Sequence, residues 1–407
     1  MAISYNNLWK LLIDKGMSKS QLRIEAGIST NALAKLGKNG YVSTEALERI
    51  CRTLNCEIGD IMEIKDDIPA NPNDINASNQ VQDSTADASA VLTGKDSDSH
   101  NYKIVSLFSG CGGLDLGFRG GFSFLGKEFC RNPFEIIWAN EMNKAACATY
   151  RKNVDSDIDE GRIEDRYQDI PKLADVVIGG FPCQDISING KMAGVDGKRS
   201  GLYVWMVKAV KDLQPKVFIA ENVKALLMKR HEDSLSRVIQ DFSEIGYRVS
   251  YHLYDAADYG VPQVRQRVVI VGVRKDIEFD FVPPLPTTHD KPITVKEAIG
   301  DLETHEYDEA FSHIWSAAKP SSGQGLRYLT ANLPSTTMRS ECHGNLQFHY
   351  TLPRRISMRE AARIQSFPDD FVFMAKLRET ERMIGNAVPP VFAWHIARAV
   401  KCILDKT

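Results

Sequence analysis

The chain has 407 residues, an ordinary globular composition and a formal net charge of −3. It contains no apolar run long enough to cross a bilayer and no secretory leader pattern, so a membrane partner is not expected and the cytoplasm is the expected location. Eight cysteines occur without CxxC pairing, which speaks against a zinc site or a disulfide framework, and no metal is expected.

The charge is unevenly spread. Residues 66–100 hold seven aspartates and one lysine, and setting that −6 aside leaves +3 for the rest, a balance that neither requires nor excludes a nucleic-acid partner. This stretch has no aromatic residue and is rich in Asp, Asn, Ser and Ala, so it cannot bury enough apolar surface to offset its ordering entropy. Residues 66–101 are therefore expected to form a flexible acidic linker with a reach of about 30 Å.

Residues 1–65 carry a helical pattern throughout. Leu8, Leu11 and Leu12 mark one apolar face; Ser18 caps a second helix with Leu22 and Ile24; Gly27 ends it; Ser29 caps a third with Ala32, Leu33 and Leu36; and a fourth starts at Ser43. Two short helices joined at Ala26, Gly27 and Ile28 have the layout of a helix-turn-helix, and the segment resembles DNA-binding domains of the Cro and lambda-repressor type. That resemblance implies that Ser29, Thr30, Asn31 and Lys35 face the major groove. A small helical interaction domain without a nucleic-acid role is the alternative.

Beyond the linker, strand patterns at 104–108, 135–139, 175–178, 217–220, 248–254 and 268–273 alternate with helical ones such as 202–213, which predicts a doubly wound α/β sheet. The rhythm is lost over 275–353, expected to be a smaller lobe, and returns as helix from 358 to 404. Residues 102–274 and 354–407 would make up the α/β domain.

The first strand runs into Ser109-Gly110-Cys111-Gly112-Gly113, a glycine-rich turn at the carboxyl end of a strand, where backbone can approach a ligand closely. Dehydrogenases, flavoproteins and methyltransferases all use such turns. Glu141 closes the next strand, where a carboxylate can accept ribose hydroxyl protons, and Asp169 is a candidate for an adenine amino group. The segment Gly180-Phe181-Pro182-Cys183-Gln184 places a thiol just past an apolar strand. A lone cysteine is more often a small buried hydrophobe. Here Glu221 ends one further strand, and Arg265 and Arg267 precede another, so the thiol, a carboxylate and two guanidiniums would meet at one sheet edge.

With FSGCGG, GGFPCQ, ENV, QVRQR, REAARIQSFPDDF and IGNAVPP in that order, the chain from Lys103 onward, about three quarters of it, resembles the bacterial DNA cytosine-5 methyltransferases. The resemblance implies a Rossmann-like S-adenosylmethionine-dependent domain with a target-recognition lobe, double-stranded DNA as partner, and restriction-modification as setting. Carbon 5 of cytosine is a poor nucleophile, so the thiolate of Cys183 adds at carbon 6 and makes the ring an enamine. Glu221 hydrogen-bonds or protonates ring N3, Arg265 and Arg267 hold the base carbonyl and a nearby phosphate, carbon 5 takes the methyl group, and removal of the carbon 5 proton with elimination of Cys183 restores the aromatic ring. The base must be flipped out of the duplex.

By the same resemblance Phe108, Gly110, Gly112, Glu141, Asp169, Pro182, Leu202, Asn386 and Ala387 line the cofactor pocket, while Ser187 and Asn189 on a glycine-rich loop probe the minor groove. Two departures are visible: Met142 stands where a bulky residue often stacks on adenine, and residues 153–167 are long and charged. The segment 333–339 resembles a threonine-containing recognition element, with Thr337 beside the flipped base and Arg339, His343, Asn345 and Gln347 as candidate readers of base edges. Catalysis by a monomer is expected, with a dimer open through the N-terminal domain. The competing readings are a tRNA cytosine-5 methyltransferase, an inactive DNA-binding regulator and, more remotely, a nicotinamide-dependent oxidoreductase.

Overall fold

A computed structural model describes residues 2–15, 17–37, 42, 44–65, 101–155, 157–181, 201–317, 327–339 and 347–407. The chain divides into two compact units, Met1–Thr93 and Gly94–Thr407.

In the first unit, β1 (Ala2–Ser4) is followed by α1 (Asn6–Asp14), α2 (Lys19–Glu25), α3 (Thr30–Gly37), α4 (Thr44–Leu54), α5 (Ile58–Ile61) and β2 (Glu63–Lys65). Ser18 caps α2 in a full capping box with Gln21, and Ser29 accepts from the Ala32 amide at 3.1 Å at the start of α3, so both expected caps form. Gly27, at φ +61°, makes the left-handed turn between them. Leu8, Leu12, Leu22, Leu36, Leu47, Ile50 and Leu54 form the core, whereas Ile24 points outward and is 68% exposed. The helical pattern did not disclose the antiparallel pair β1–β2, because two three-residue strands carry too little periodicity to read. The expected cap Ser43 lies outside the described residues.

The second unit is built on a seven-stranded sheet. Its elements are β3 (Tyr102–Leu107), α6 (Gly113–Arg119), β4 (Phe122–Phe124), β5 (Lys127–Phe129), β6 (Phe134–Glu141), α7 (Lys144–Asn153), β7 (Ile158–Glu160), α8 (Ile163–Arg166), β8 (Val176–Gly180), α9 (Tyr203–Leu213), β9 (Val217–Val223), α10 (Glu232–Glu244), β10 (Tyr247–Asp255), β11 (Gln266–Arg274), α11 (Val295–Ile299), α12 (Met358–Ile364), α13 (Leu377–Asn386) and α14 (Pro390–Leu404). The order is β10-β11-β9-β8-β3-β6-β7, parallel from β9 to β7, with β11 antiparallel to both β9 and β10. All six expected strands occur. The short edge strand β7 and the β4–β5 hairpin were not legible in advance.

Central strands are apolar on both faces because helices cover both sides, giving one core under α6, α12 and α14 and another under α9 and α10. Gly117 lets α6 lie directly on α14: a Cβ there would sit 2.3 Å from the Ala393 Cβ and 2.5 Å from the Pro390 carbonyl. The apolar window within Leu377–Leu404, spanning parts of α13 and α14, is 78% buried inside the fold.

His395, on α14, is 8% exposed, and its Nε2 has no partner among the described residues. Burial, with Lys127 adding to it, pushes its pKa down to about 4. A depressed folded-state value means that the unfolded chain takes up the proton first, so stability present above pH 6.5 is lost as the pH falls toward 4. Asp115 works the other way, since burial raises its carboxyl to about 6 and acid favours its folded neutral form. Comparison of wild type with His395→Phe isolates the histidine. The wild type is expected to lose about 3 kcal/mol relative to the variant between pH 7 and 4 in urea denaturation; parallel curves would contradict this account of the core.

Candidate active site

Register brings the functional positions to one edge. Parallel pairing sets Leu107 beside Asn140 and Gly179, and Gly180 beside Glu221, so the carboxyl ends of β3, β6, β8 and β9 finish level. Antiparallel β11 starts at that same edge, with Arg267 opposite Val223. Arg267 Nε lies 2.8 Å from Glu221 Oε1, with the side chains 10% and 13% exposed. Gly180 makes room for this pair: a Cβ on it would lie 3.1 Å from Glu221 Oε2. The adjacent Asn222 is buried and donates from Nδ2 to the Phe181 carbonyl at 2.9 Å, tying β9 to the chain two residues before Cys183. This strut was missed in the sequence, although Asn222 sits inside the ENV motif. Pro182, Cys183, Ser187 and Asn189 lie outside the described residues.

On the cofactor side, the Glu141 carboxylate accepts from the Gly110 amide at 3.0 Å through Oε2 and from the Asn143 amide at 2.8 Å through Oε1. It thus closes the glycine turn onto the tip of β6 and keeps lone pairs on both oxygens. The glycines divide by task. Gly110, at φ +58°, is open: a Cβ on it would meet nothing within 4 Å, the free space a ligand needs. Gly112 (φ +91°) packs on Val154 and Tyr150, and a Cβ on Gly113 would meet the Val388 carbonyl at 2.4 Å. Phe108, at φ +56°, holds a left-handed conformation that a bulky side chain rarely adopts, at the point where the strand turns. Ala387, packed against Gly113, is half-buried, as is Leu202 at the start of α9, while Asn386 and Asp169 are exposed. Met142 is 63% exposed and so leaves an apolar side chain available beside Glu141.

The two arginines part company. Arg267 faces Glu221, but the Arg265 side chain is turned inward, 1% exposed, with its Nη atoms given to protein oxygens. In the recognition segment, Thr337 Oγ1 donates to the Val264 carbonyl at 2.7 Å, which lays this threonine beside QVRQR. Arg339 is exposed. Gln347, expected to read base edges, is instead 4% exposed and bonded to Ser335 and Thr336, so it braces the segment rather than facing DNA. His343 and Asn345 lie outside the described residues. Much of REAARIQSFPDDF is bracing too: Arg359 donates to the Phe311, Pro368 and Phe371 carbonyls, and Arg363 pairs with Asp301 and Asp369. Among the described residues no group of three or more His, Cys, Asp or Glu side chains is placed to hold a metal.

The family model of the C-5 cytosine-specific DNA methylases matches residues 102–319 and 312–402, and that of the Cro/C1-type HTH DNA-binding domain matches residues 7–67. The Type II methyltransferase M.NgoFVII of Neisseria gonorrhoeae is 37% identical over 343 residues, covering 76% of this chain and 89% of the relative. The chain belongs to the C-5 cytosine-specific DNA methylase family. A second relative, the Type II methyltransferase M.FnuDI of Fusobacterium nucleatum, is 36% identical over 74% of this chain and 94% of its own length.

Solved structures agree on the fold of this DNA methylase. A putative prophage-encoded DNA modification methyltransferase from E. coli aligns with TM-score 0.55 at 23% identity, over 75% of this chain and 100% of that one. The Dnmt2 methyltransferase of S. pombe aligns with TM-score 0.53 at 15% identity, over 75% and 99%. The N-terminal match makes the methylase a two-module protein. In its HTH unit, Ser29 and Lys35 are exposed at the start and in the last turn of α3, with Thr30 and Asn31 in the first turn.

Proposed function

We propose that this methylase transfers a methyl group from S-adenosylmethionine to carbon 5 of a flipped cytosine in a short duplex site, through a covalent adduct with Cys183, and that it protects cytoplasmic DNA within a restriction-modification system. The observation that carries the assignment of roles is the Glu221–Arg267 pair at 2.8 Å, beside Gly180 in register and so three residues from the thiol. Covalent geometry keeps the Cys183 Cα within about 11 Å of the Gly180 Cα, inside the reach of one pyrimidine bridging thiol and carboxylate.

Cys183 attacks carbon 6 of the cytosine while Glu221 takes the hydrogen-bonding position at ring N3, and once carbon 5 is methylated, loss of its proton expels the Cys183 thiolate and restores the ring. Arg267 holds the Glu221 carboxylate through Nε and gives Nη1 to the Gln266 carbonyl, which leaves Nη2 for the base carbonyl and phosphate. Bound S-adenosylmethionine supplies an electrophilic methyl group. Glu141 would accept the ribose hydroxyls on its free lone pairs, Asp169 the adenine amino group, and Gly110 and Phe108 would border the donor, with Pro182, Leu202, Asn386 and Ala387 completing the pocket. Thr337 and Arg339, with Ser187 and Asn189, are assigned to the DNA. Transfer of a labelled methyl group to duplex DNA and, in parallel, to tRNA, followed by mapping of the modified bases, tests this reading. Label found on adenine, or on tRNA alone, would overturn it.

The N-terminal unit is assigned to a separate operator, through Ser29, Thr30, Asn31 and Lys35 on α3, by which the protein would repress its own gene or that of an accompanying restriction enzyme. A monomer suffices for catalysis, and the HTH unit is where a dimer would form. A fragment of residues 1–65 is expected to shift DNA from upstream of the gene at physiological salt and to release it when Asn31 and Lys35 are replaced by alanine. No sequence-specific shift would remove the regulatory role.

A further inference from the structure

Arg265 is nearly without solvent contact, yet its acceptors are all uncharged oxygens. Nη1 donates to the Met338 carbonyl at 2.9 Å and to Gln263 Oε1 at 3.4 Å; Nη2 donates to the Gly385 carbonyl at 2.8 Å and the Ala387 carbonyl at 3.0 Å. Burial, with the neighbouring Arg267 adding to it, pushes this guanidinium well below its usual range. A charge is costly to bury in this way, and the acceptors that compensate it belong to three separate segments.

Two buried glutamines extend the knot. Gln263 accepts the Met338 amide at 3.1 Å and donates to Gln365 Oε1 at 2.6 Å, and Gln365 in turn donates to the Ala387 carbonyl at 2.6 Å. Backbone bonds from Val264 to the Ser335 carbonyl and from Ser335 to the Pro262 carbonyl run alongside. One end of the knot therefore grips the recognition segment, at the residue after Thr337. The other grips the C-terminal end of α13 at Gly385 and Ala387, whose next residue, Val388, presses its carbonyl on Gly113 of the glycine turn.

We propose that Arg265 is a positioning residue whose single buried guanidinium fixes the recognition segment and the cofactor-side end of α13 together, so that donor binding and target reading depend on the same knot. This rests on the cofactor assignment above. A residue that contacted only the base or a phosphate would leave donor affinity untouched when DNA is absent; a clamp on Ala387 would not.

The test is equilibrium binding of S-adenosylmethionine to the full chain without DNA, comparing wild type, Arg265→Met and Gln365→Met well below their melting temperatures. Arg265→Met is expected to weaken donor binding about five-fold or more, and to raise methylation at sites one base pair away from the mapped sequence. Gln365→Met, which removes only one of the bonds to Ala387 and serves where the arginine variant does not fold, is expected to weaken donor binding about two- to three-fold. DNA-free affinity within two-fold of wild type in Arg265→Met, or unchanged in Gln365→Met where that variant decides, overturns the inference. A wild-type chain that does not bind the donor overturns the cofactor assignment and the inference with it.

Discussion

Cys183→Ser is expected to abolish methyl transfer, lowering the rate by at least about 10⁴-fold. Addition at carbon 6 needs a soft anion that forms near neutral pH, which a thiol supplies and a serine hydroxyl does not. The two side chains are nearly equal in size, so the loss is one of chemistry rather than of fold. The melting temperature and DNA-free binding of the donor should therefore stay as in wild type, and labelled methyl incorporation into DNA should vanish. Activity at the wild-type level in the serine variant would remove the covalent route and force a different nucleophile.

The second large effect is expected at Glu221. Glu221→Gln keeps the shape that Gly180 accommodates and an oxygen for Arg267, but it removes the ionisable carboxyl group that can pass a proton to ring N3. A general acid in such a role contributes about 10²–10⁴-fold, so kcat should fall by that factor while donor binding without DNA is unchanged. Equal losses in kcat and donor affinity would mean that Glu221 supports the glycine-turn side instead. Arg267→Met should follow Glu221→Gln in direction, because an unpaired Glu221 would no longer be held toward the base. Arg265→Met should differ in pattern, with donor binding without DNA weakened as well, since its guanidinium meets Met338 and Ala387 rather than Glu221.

The acid response of the fold is of a different kind. Loss of about 3 kcal/mol from His395 alone is a large share of the stability of a domain, and it comes from desolvation of one ring rather than from any catalytic group. Asp115, shifted in the opposite sense, offsets much of this in the whole fold, so the share of the histidine is read only against His395→Phe.

Much of this protein could be read directly from its residues. Alternating apolar runs located all six of the expected strands, since a strand covered on both faces must be apolar throughout, and Ser18, Gly27 and Ser29 marked the turn of the helix-turn-helix through local capping chemistry. The motif order identified the reaction, because the spacing of glycine turn, thiol, carboxylate and arginines is a property of the chain.

The tertiary structure decided which of those residues meet. QVRQR presents two arginines that look alike in sequence, but β11 begins at Gln266, so Arg267 emerges at the sheet edge beside Glu221 while Arg265 enters the interior among carbonyls from residues 338, 385 and 387. Gln347 looks like a surface reader and is a buried brace, and Asn222 and Gln365 show their tasks only through partners 41 and 22 positions away. The reason is physical: local patterns record what a residue does to its own backbone, whereas a buried donor takes its meaning from the acceptor that long-range packing delivers to it.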